Sequence, residues 1–282
     1  MVVLSDLHGL WRRTLIAWPD DRFDIATEVY WLQGPRSFAD LRIPPGAPKH
    51  GGGSCLRDLD WPMLRFMALQ EGFIGHLEIA GGIAHWHRLF DFQPQDRLAD
   101  KGRLEFQNEI LVERGVERPY VEHWRREPAS DPEVVALWLS AGPAQRPIGC
   151  LIATAEAFIY ARGRALPLPR GTTLSNLVDD ALSLRAAQDL FDCEISFGRR
   201  GPQGWRIERS SLPFRAGQSL APAIDGAGRS LAVGDLTAEG KAFRRAWRIA
   251  ARESTAAAFP FDWFAFHPAG IATRSQELET PP

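Results

Sequence analysis

The stretch that most constrains the fold covers residues 73–127 and reads FIGHLEIAGGIAHWHRLFDFQP, then, after a polar break, GRLEF, EILVERG and PYVEHWRRE. Phe73, Leu77 and Ile79 oppose Ile74, His76 and Glu78; Ala84, Trp86, Phe90 and Phe92 oppose His85, His87 and Asp91. A period of two with aromatic and β-branched enrichment predicts half-buried strands, because successive side chains of a strand point to opposite faces. Gly81-Gly82 and residues 115–118 supply short turns, so the pieces pair as an antiparallel meander.

The pattern upstream is similar. Residues 27–33 and 37–43 read as strands joined by Gly34-Pro35, with Phe38, Asp40 and Arg42 on one face of the second and Ala39, Leu41 and Ile43 on the other. Residues 7–18 read as a short amphipathic helix ending before Pro19, a lid or packing segment. The Gly51-Gly52-Gly53-Ser54 run lacks the Gly-Lys-Ser/Thr ending and the leading strand of a phosphate loop. Residues 56–70 hold a helix that starts near Pro62, because the residue before a proline is pushed out of helical geometry.

Residues 133–140 form a nearly continuous apolar strand that closes the first half, which then holds about eight strands, enough for a barrel around one small ligand. The boundary falls near Gly142: residues 1–142 make a first β-barrel domain and 143–282 a second barrel-like domain with helices. In the second half, strands are expected at 148–153, 158–162, 193–198, 205–211, 231–235 and 259–267. Helices are expected at 173–191, with Leu174, Leu177, Val178, Ala181 and Leu182 as its stripe, and from Thr237 to about residue 252, with Phe243 and Trp247 one turn apart; residues 273–282 read as a frayed tail. The expected fold class is mainly β, two antiparallel barrel halves with a few covering helices.

Composition narrows the function classes. A formal charge of −2 leaves no basic footprint for nucleic acid. No window approaches the about 18 uninterrupted apolar residues of a membrane helix, and residues 1–10 lack the basic start and apolar run of a signal peptide. Cys55, Cys150 and Cys193 are widely spaced and odd in number, so the expectation is a reducing, cytoplasmic setting without a disulfide framework or structural zinc site. Ten Trp and sixteen Phe supply rigid apolar surface for a core or a pocket. The expected partner is a hydrophobic small molecule, with no cofactor; a homodimer stays open.

Three constellations could carry chemistry. His85 and His87, two apart on a strand, project from one face with His76 and Glu78 nearby, while His123 lies on a later strand. His76, His85, His87 and His123 are the alternative metal set, for zinc or non-haem iron. The His-x-His spacing resembles the first metal motif of cupins, although Asp91 stands where that family has Glu and the following Gly spacing differs. Asp40 and Arg42, with Tyr30 or Trp31, could orient a ligand oxygen inside a barrel, or else form a solvated face or an internal ion pair that fixes barrel register. Tyr120, Glu122, Trp124 and Arg126 share one face that reads as a pocket wall or as a snorkelling outer face. His85, His87, Asp40 and Arg42 are the catalytic candidates; Tyr30, Trp31, Trp86, Tyr120, Trp124 and His123 the ligand-binding ones. No GxSxG elbow is present, and no Cys sits in an evident Cys-His setting.

The eight-strand meander with the early Tyr30-Trp31-Leu32 strand resembles the calycin or lipocalin-like group, and the two β-rich halves are similar to fungal proteins built of two such barrels. That resemblance implies an apolar cavity for a small molecule. In related bacterial barrels such a cavity hosts cofactor-free isomerisation, cyclisation or dehydration; a non-catalytic binding barrel is the companion reading, and no family catalytic residue carries over.

Overall fold

A computed structural model describes residues 1–47, 53–95, 98–128, 133–142 and 146–264. Within them the protein is mainly β, with one closed antiparallel barrel, a curled half-barrel and three short helices. No helix among the described residues is long and apolar enough to cross a membrane.

The barrel is built from β1 (Gly9–Ala17), β3 (Glu28–Gln33), β4 (Ser37–Ile43), β5 (Glu71–Ala80), β6 (Ile83–Asp91), β7 (Asp100–Gln107), β8 (Ile110–Gly115) and β9 (Val121–Arg126), with the two-residue β2 (Phe23–Asp24) as a flap on β1. β1 pairs with both β3 and β9, which closes the ring, and closure is what spares a sheet its unpaired edges. Gly81 and Gly82 join β5 to β6 with φ of 59° and 75°, the left-handed pair that a two-residue hairpin turn demands.

The second sheet runs β14 (Gly204–Ser210), β13 (Glu194–Gly201), β12 (Ala157–Arg162), β11 (Gly149–Thr154), β10 (Val134–Ser140), β17 (Ala242–Ser254), β16 (Ser230–Leu236) and β15 (Ala223–Ile224). β10 hydrogen-bonds to β11 and β17, so the apolar run expected to close the first half opens the second sheet instead. All of β10 is buried, as its continuous hydrophobicity requires of a strand covered on both faces. Helix α1 (Trp61–Met67) begins with Pro62 in its first turn and is capped by Asp60, whose carboxylate accepts from Met63 N.

Four expectations are corrected. Residues 7–18 form no helix: a 3-10 turn, Leu4–Leu7, leads into β1. A register shift between Arg13 and Leu15 slips the alternation there, and the resulting spacing of Trp11, Leu15 and Ile16 imitates a helical stripe. Residues 237–252 are mostly the long strand β17, where Phe243 and Trp247 share a strand face four residues apart; Thr237 caps only a turn, accepting from Lys241 N. The expected helix at 173–191 is two helices, α2 (Leu174–Asp179) and α3 (Leu184–Asp189), each with its own cap at Thr173 and Ser183, and Leu182 is fully exposed between them. The expected last strand is a 3-10 turn, Phe261–Phe264, preceded by two residues without regular structure; residues 265–267, the 273–282 tail, Gly51-Gly52 and Pro143 lie outside the described residues.

A further shift decides what faces the barrel interior. Ile74 pairs with Phe90 but Gly75 with Arg88, so Leu89 is bulged out of the ladder. Ala84, Trp86 and Arg88 point inward, and beyond the bulge Asp91 does. Phe90 and Phe92, expected beside Trp86, turn outward to the core shared with the second half, where Phe92 meets Phe191.

Candidate functional site

The barrel interior has two layers. Trp11, Trp31, Phe38, Leu77, Trp86, Leu111 and Trp124 fill one end, and the Leu4–Leu7 turn closes it, with Trp11 Nε1 donating to the Leu7 carbonyl. Trp31 is the hub, stacked on Trp11 at 5.8 Å and edge-on to Trp86 and Trp124 at 6.0 and 5.3 Å. Above this floor opens a cavity of about 1190 Å³, rimmed by Trp18, Asp20 and Arg22 from the β1–β2 hairpin and by Leu69 and Leu98.

The cavity wall is charged. Arg13 Nη1 donates to Glu122 Oε1 at 2.8 Å, and its Nη2 to Asp24 at 3.1 Å. Arg42 Nε donates to Asp40 at 2.9 Å, with Glu122 at 3.5 Å. Arg88 bridges Asp91 at 3.1 Å and Asp100 at 2.6 Å while lying over the Phe73 ring. Each guanidinium thus serves at least two carboxylates. Burial pushes the Asp40 carboxyl up, against the pull of Arg42. Burial opposes the charge of Arg42 as well, but Asp40 and Glu122 outweigh it and strengthen its hold on the proton. Burial pushes Asp91 up to about 6 despite Arg88.

Glu113 differs from these carboxylates. It is 3% exposed, and its Cα partner on β9 is Glu122, so two buried carboxyls face each other across neighbouring strands. Glu122 has its guanidiniums; Glu113 has Tyr120, whose hydroxyl lies 2.6 Å from Oε1, and Trp124, whose Nε1 donates to Oε2 at 3.2 Å. Burial, then Glu122 and Asp100, raise the Glu113 carboxyl well above the usual range, and burial with Glu113 raises the Tyr120 phenol. Two opposed glycines make room for the pair. A Cβ on Gly102 would lie 2.8 Å from Glu113 Cγ, and one on Gly115 would lie 2.5 Å from Tyr120 Cε1. Neither glycine has a positive φ, so space and not backbone freedom is what the position needs.

Of the residues nominated from sequence, Asp40, Arg42, Trp31, Trp86, Tyr120 and Trp124 come together around this cavity. Tyr30 takes the opposite face of β3, stacking on Phe197 of the second sheet at 4.1 Å. His85 and His87 stand on the other face of β6 from Trp86 with ring centroids 3.7 Å apart; they border the cavity, and His87 faces Glu78 at 3.3 Å. Burial, then His87 and Lys101, lower the affinity of His85 for a proton. His123 is paired with Leu15 and Val112, facing away from the interior, and His76 packs on Trp138 at the junction with the second sheet. Among the described residues no three His, Cys, Asp or Glu side chains are grouped so as to hold a metal ion. Sequence reasoning missed Arg13, inside the segment read as helix, and Glu113. The signal for Glu113 was its place in Leu111-x-Glu113-x-Gly115, a carboxylate on the apolar face of a strand. Asp91 was hidden by the bulge, whereas Arg88 lies on the face that alternation from Trp86 assigns it.

No protein-family model matches the chain, and no curated protein matches it in sequence. A solved structure similar to it is that of the uncharacterized protein YLR301w from Saccharomyces cerevisiae, at 10% identity and a TM-score of 0.47, over 87% of this chain and 98% of that one.

Proposed function

We propose that the barrel holds a small, largely apolar molecule in its interior and acts on it by acid–base chemistry without a cofactor, of the isomerisation, cyclisation or dehydration kind. The observation that carries this reading is the cavity itself: about 1190 Å³ that opens from the barrel interior out over its rim, with a floor of indoles and a wall of paired charges. A barrel serving only as scaffold would fill that volume with side chains. In the proposed arrangement Trp31, Trp86 and Trp124 supply apolar contact, Asp40 and Arg42 orient a polar group of the ligand, and buried carboxyls exchange the proton. The calycin-like resemblance points the same way.

N-phenyl-1-naphthylamine, a neutral probe that fluoresces in apolar sites, tests the binding half of the proposal. One saturable site per chain is expected, with energy transfer from the interior tryptophans. Binding that never saturates, or that proceeds without energy transfer, defeats it.

A further inference from the structure

Resting on that reading of the cavity, we infer that Glu113 and Tyr120 form a hydrogen-bond-donating pair. In it a neutral carboxylic acid is relayed through a phenol to a carbonyl or phenolic oxygen of the bound molecule.

Glu113 is buried on the interior face of β8, directly across from Glu122. Both Arg13 and Arg42 are committed to Glu122, and among the described residues no ion pair joins a guanidinium to Glu113. Two carboxylates held opposite one another in a site of low dielectric do not both ionise, and the one without a cation keeps its proton. The groups facing Glu113 are Glu122 on β9, Asp100 on β7, Tyr120 just before β9, and Arg42 on β4. The two acids favour the neutral form; the Tyr120 hydrogen bond and Arg42 oppose it and are outweighed.

A neutral Glu113 changes the direction of its hydrogen bonds. Trp124 Nε1 can only donate, so Oε2 is the acceptor and the acid proton belongs on Oε1. That proton then points at Tyr120 Oη, 2.6 Å away. Having accepted it, the phenol is left with its own O–H to direct elsewhere, and Glu113 and Tyr120 both line the cavity. The recipient is an acceptor oxygen on the ligand, favoured most when it carries developing negative charge, as a carbonyl does on enolisation. Should that oxygen take the proton fully, Tyr120 passes on its own and regains one from Glu113. Glu113 becomes the carboxylate, the ligand oxyanion becomes a hydroxyl, and Tyr120 ends unchanged. The opposed Gly102 and Gly115, whose side chains would collide with these two residues, leave the hollow in which the pair sits.

Two measurements on the full chain test this. Infrared difference spectra of the wild type against Glu113→Gln at pH 7 should contain the C=O stretch of a protonated carboxyl, and Tyr120→Phe should shift that band. Its absence at pH 7 overturns the pair without touching the pocket. Binding of 2-acetylnaphthalene is then compared with 2-ethylnaphthalene, which lacks the oxygen. The ketone should bind about tenfold tighter, its C=O stretch should move to lower frequency when bound, and Tyr120→Phe should abolish both effects while leaving 2-ethylnaphthalene unaffected. Equal binding of the two probes removes oxygen recognition and leaves the cavity reading standing. Saturable binding of neither removes both.

Discussion

At the scale of single residues, the interior of the barrel is held by carboxyls that bear unequal shares of three guanidiniums. Asp91 shows the consequence for stability. Its carboxyl is raised from 3.8 to about 6 by burial, only partly offset by Arg88. Between those two values the folded protein binds a proton that the unfolded chain releases, so stability falls as pH rises through this window and is fully reduced above it. Asp91→Asn removes that penalty and keeps the size of the side chain. Above pH 7 the variant should be more stable than the wild type by up to about 3 kcal/mol, since each tenfold change in proton affinity is worth about 1.4 kcal/mol. Below pH 4 the difference should vanish. Urea denaturation at pH 4 and pH 8 checks this, and a wild type that gains stability on going from pH 4 to pH 7 through Asp91 would contradict it.

At the scale of elements, strict periodicity was legible in the sequence, and the slips of periodicity in β1, β6 and β17 were not. The strands β3, β4 and β5 follow unbroken alternation and lie where their residues place them. β1, β6 and the β10–β17 pair each contain a register shift. One extra residue converts a period of two into spacings of three and four, which read as helix at residues 7–18 and reversed the inward and outward sets after Leu89. The candidate site was accordingly half legible. Asp40, Arg42, Trp31 and Trp124 sit on regular strands, whereas Asp91 lies beyond the Leu89 bulge, where simple alternation assigns the wrong face, and Arg13, on the same face of β1 as Trp11, lies in the segment whose spacing imitates a helix. At 173–191 the helical period was correct, but a second cap, Ser183 accepting from Ala186 N, starts a new helix and turns Leu182 out to solvent. A direct test separates two short helices from one long one. Leu174→Ala, at a position with no exposure, should cost about 2–4 kcal/mol. Leu182→Ala should change stability by less than about 0.5 kcal/mol. A single continuous helix with both residues on its buried stripe would make the two costs comparable.

At the scale of the whole molecule, the barrel and the half-barrel share a core. One cluster of buried residues runs from Leu10, Tyr30 and Leu41 in the barrel through Ala136, Trp138 and Ile152 to Phe191 and Phe197. Polar contacts tie the same junction. The Glu253 carboxylate, at the end of β17, accepts from the backbone N–H of Arg36 and Ser37 at 2.9 and 3.0 Å and from Ser37 Oγ at 2.8 Å, while Trp138 Nε1 donates to that same hydroxyl oxygen at 2.8 Å. Arg209 on β14 pairs with Glu28 on β3. Separating the halves would expose this apolar cluster to water and exchange those hydrogen bonds for bonds to water, so burial favours the joined state. The protein should therefore unfold in one cooperative transition, although its chain forms two sheets. Glu253→Ala, which orphans two backbone donors at the β3–β4 turn, should cost about 2 kcal/mol. It should also lower the hydrogen-exchange protection of β4 and β11 amides by the same factor, although the substitution lies on neither strand. Loss of protection confined to β10–β17, with the barrel amides unchanged, would mean that the halves open independently and that the shared core does not couple them.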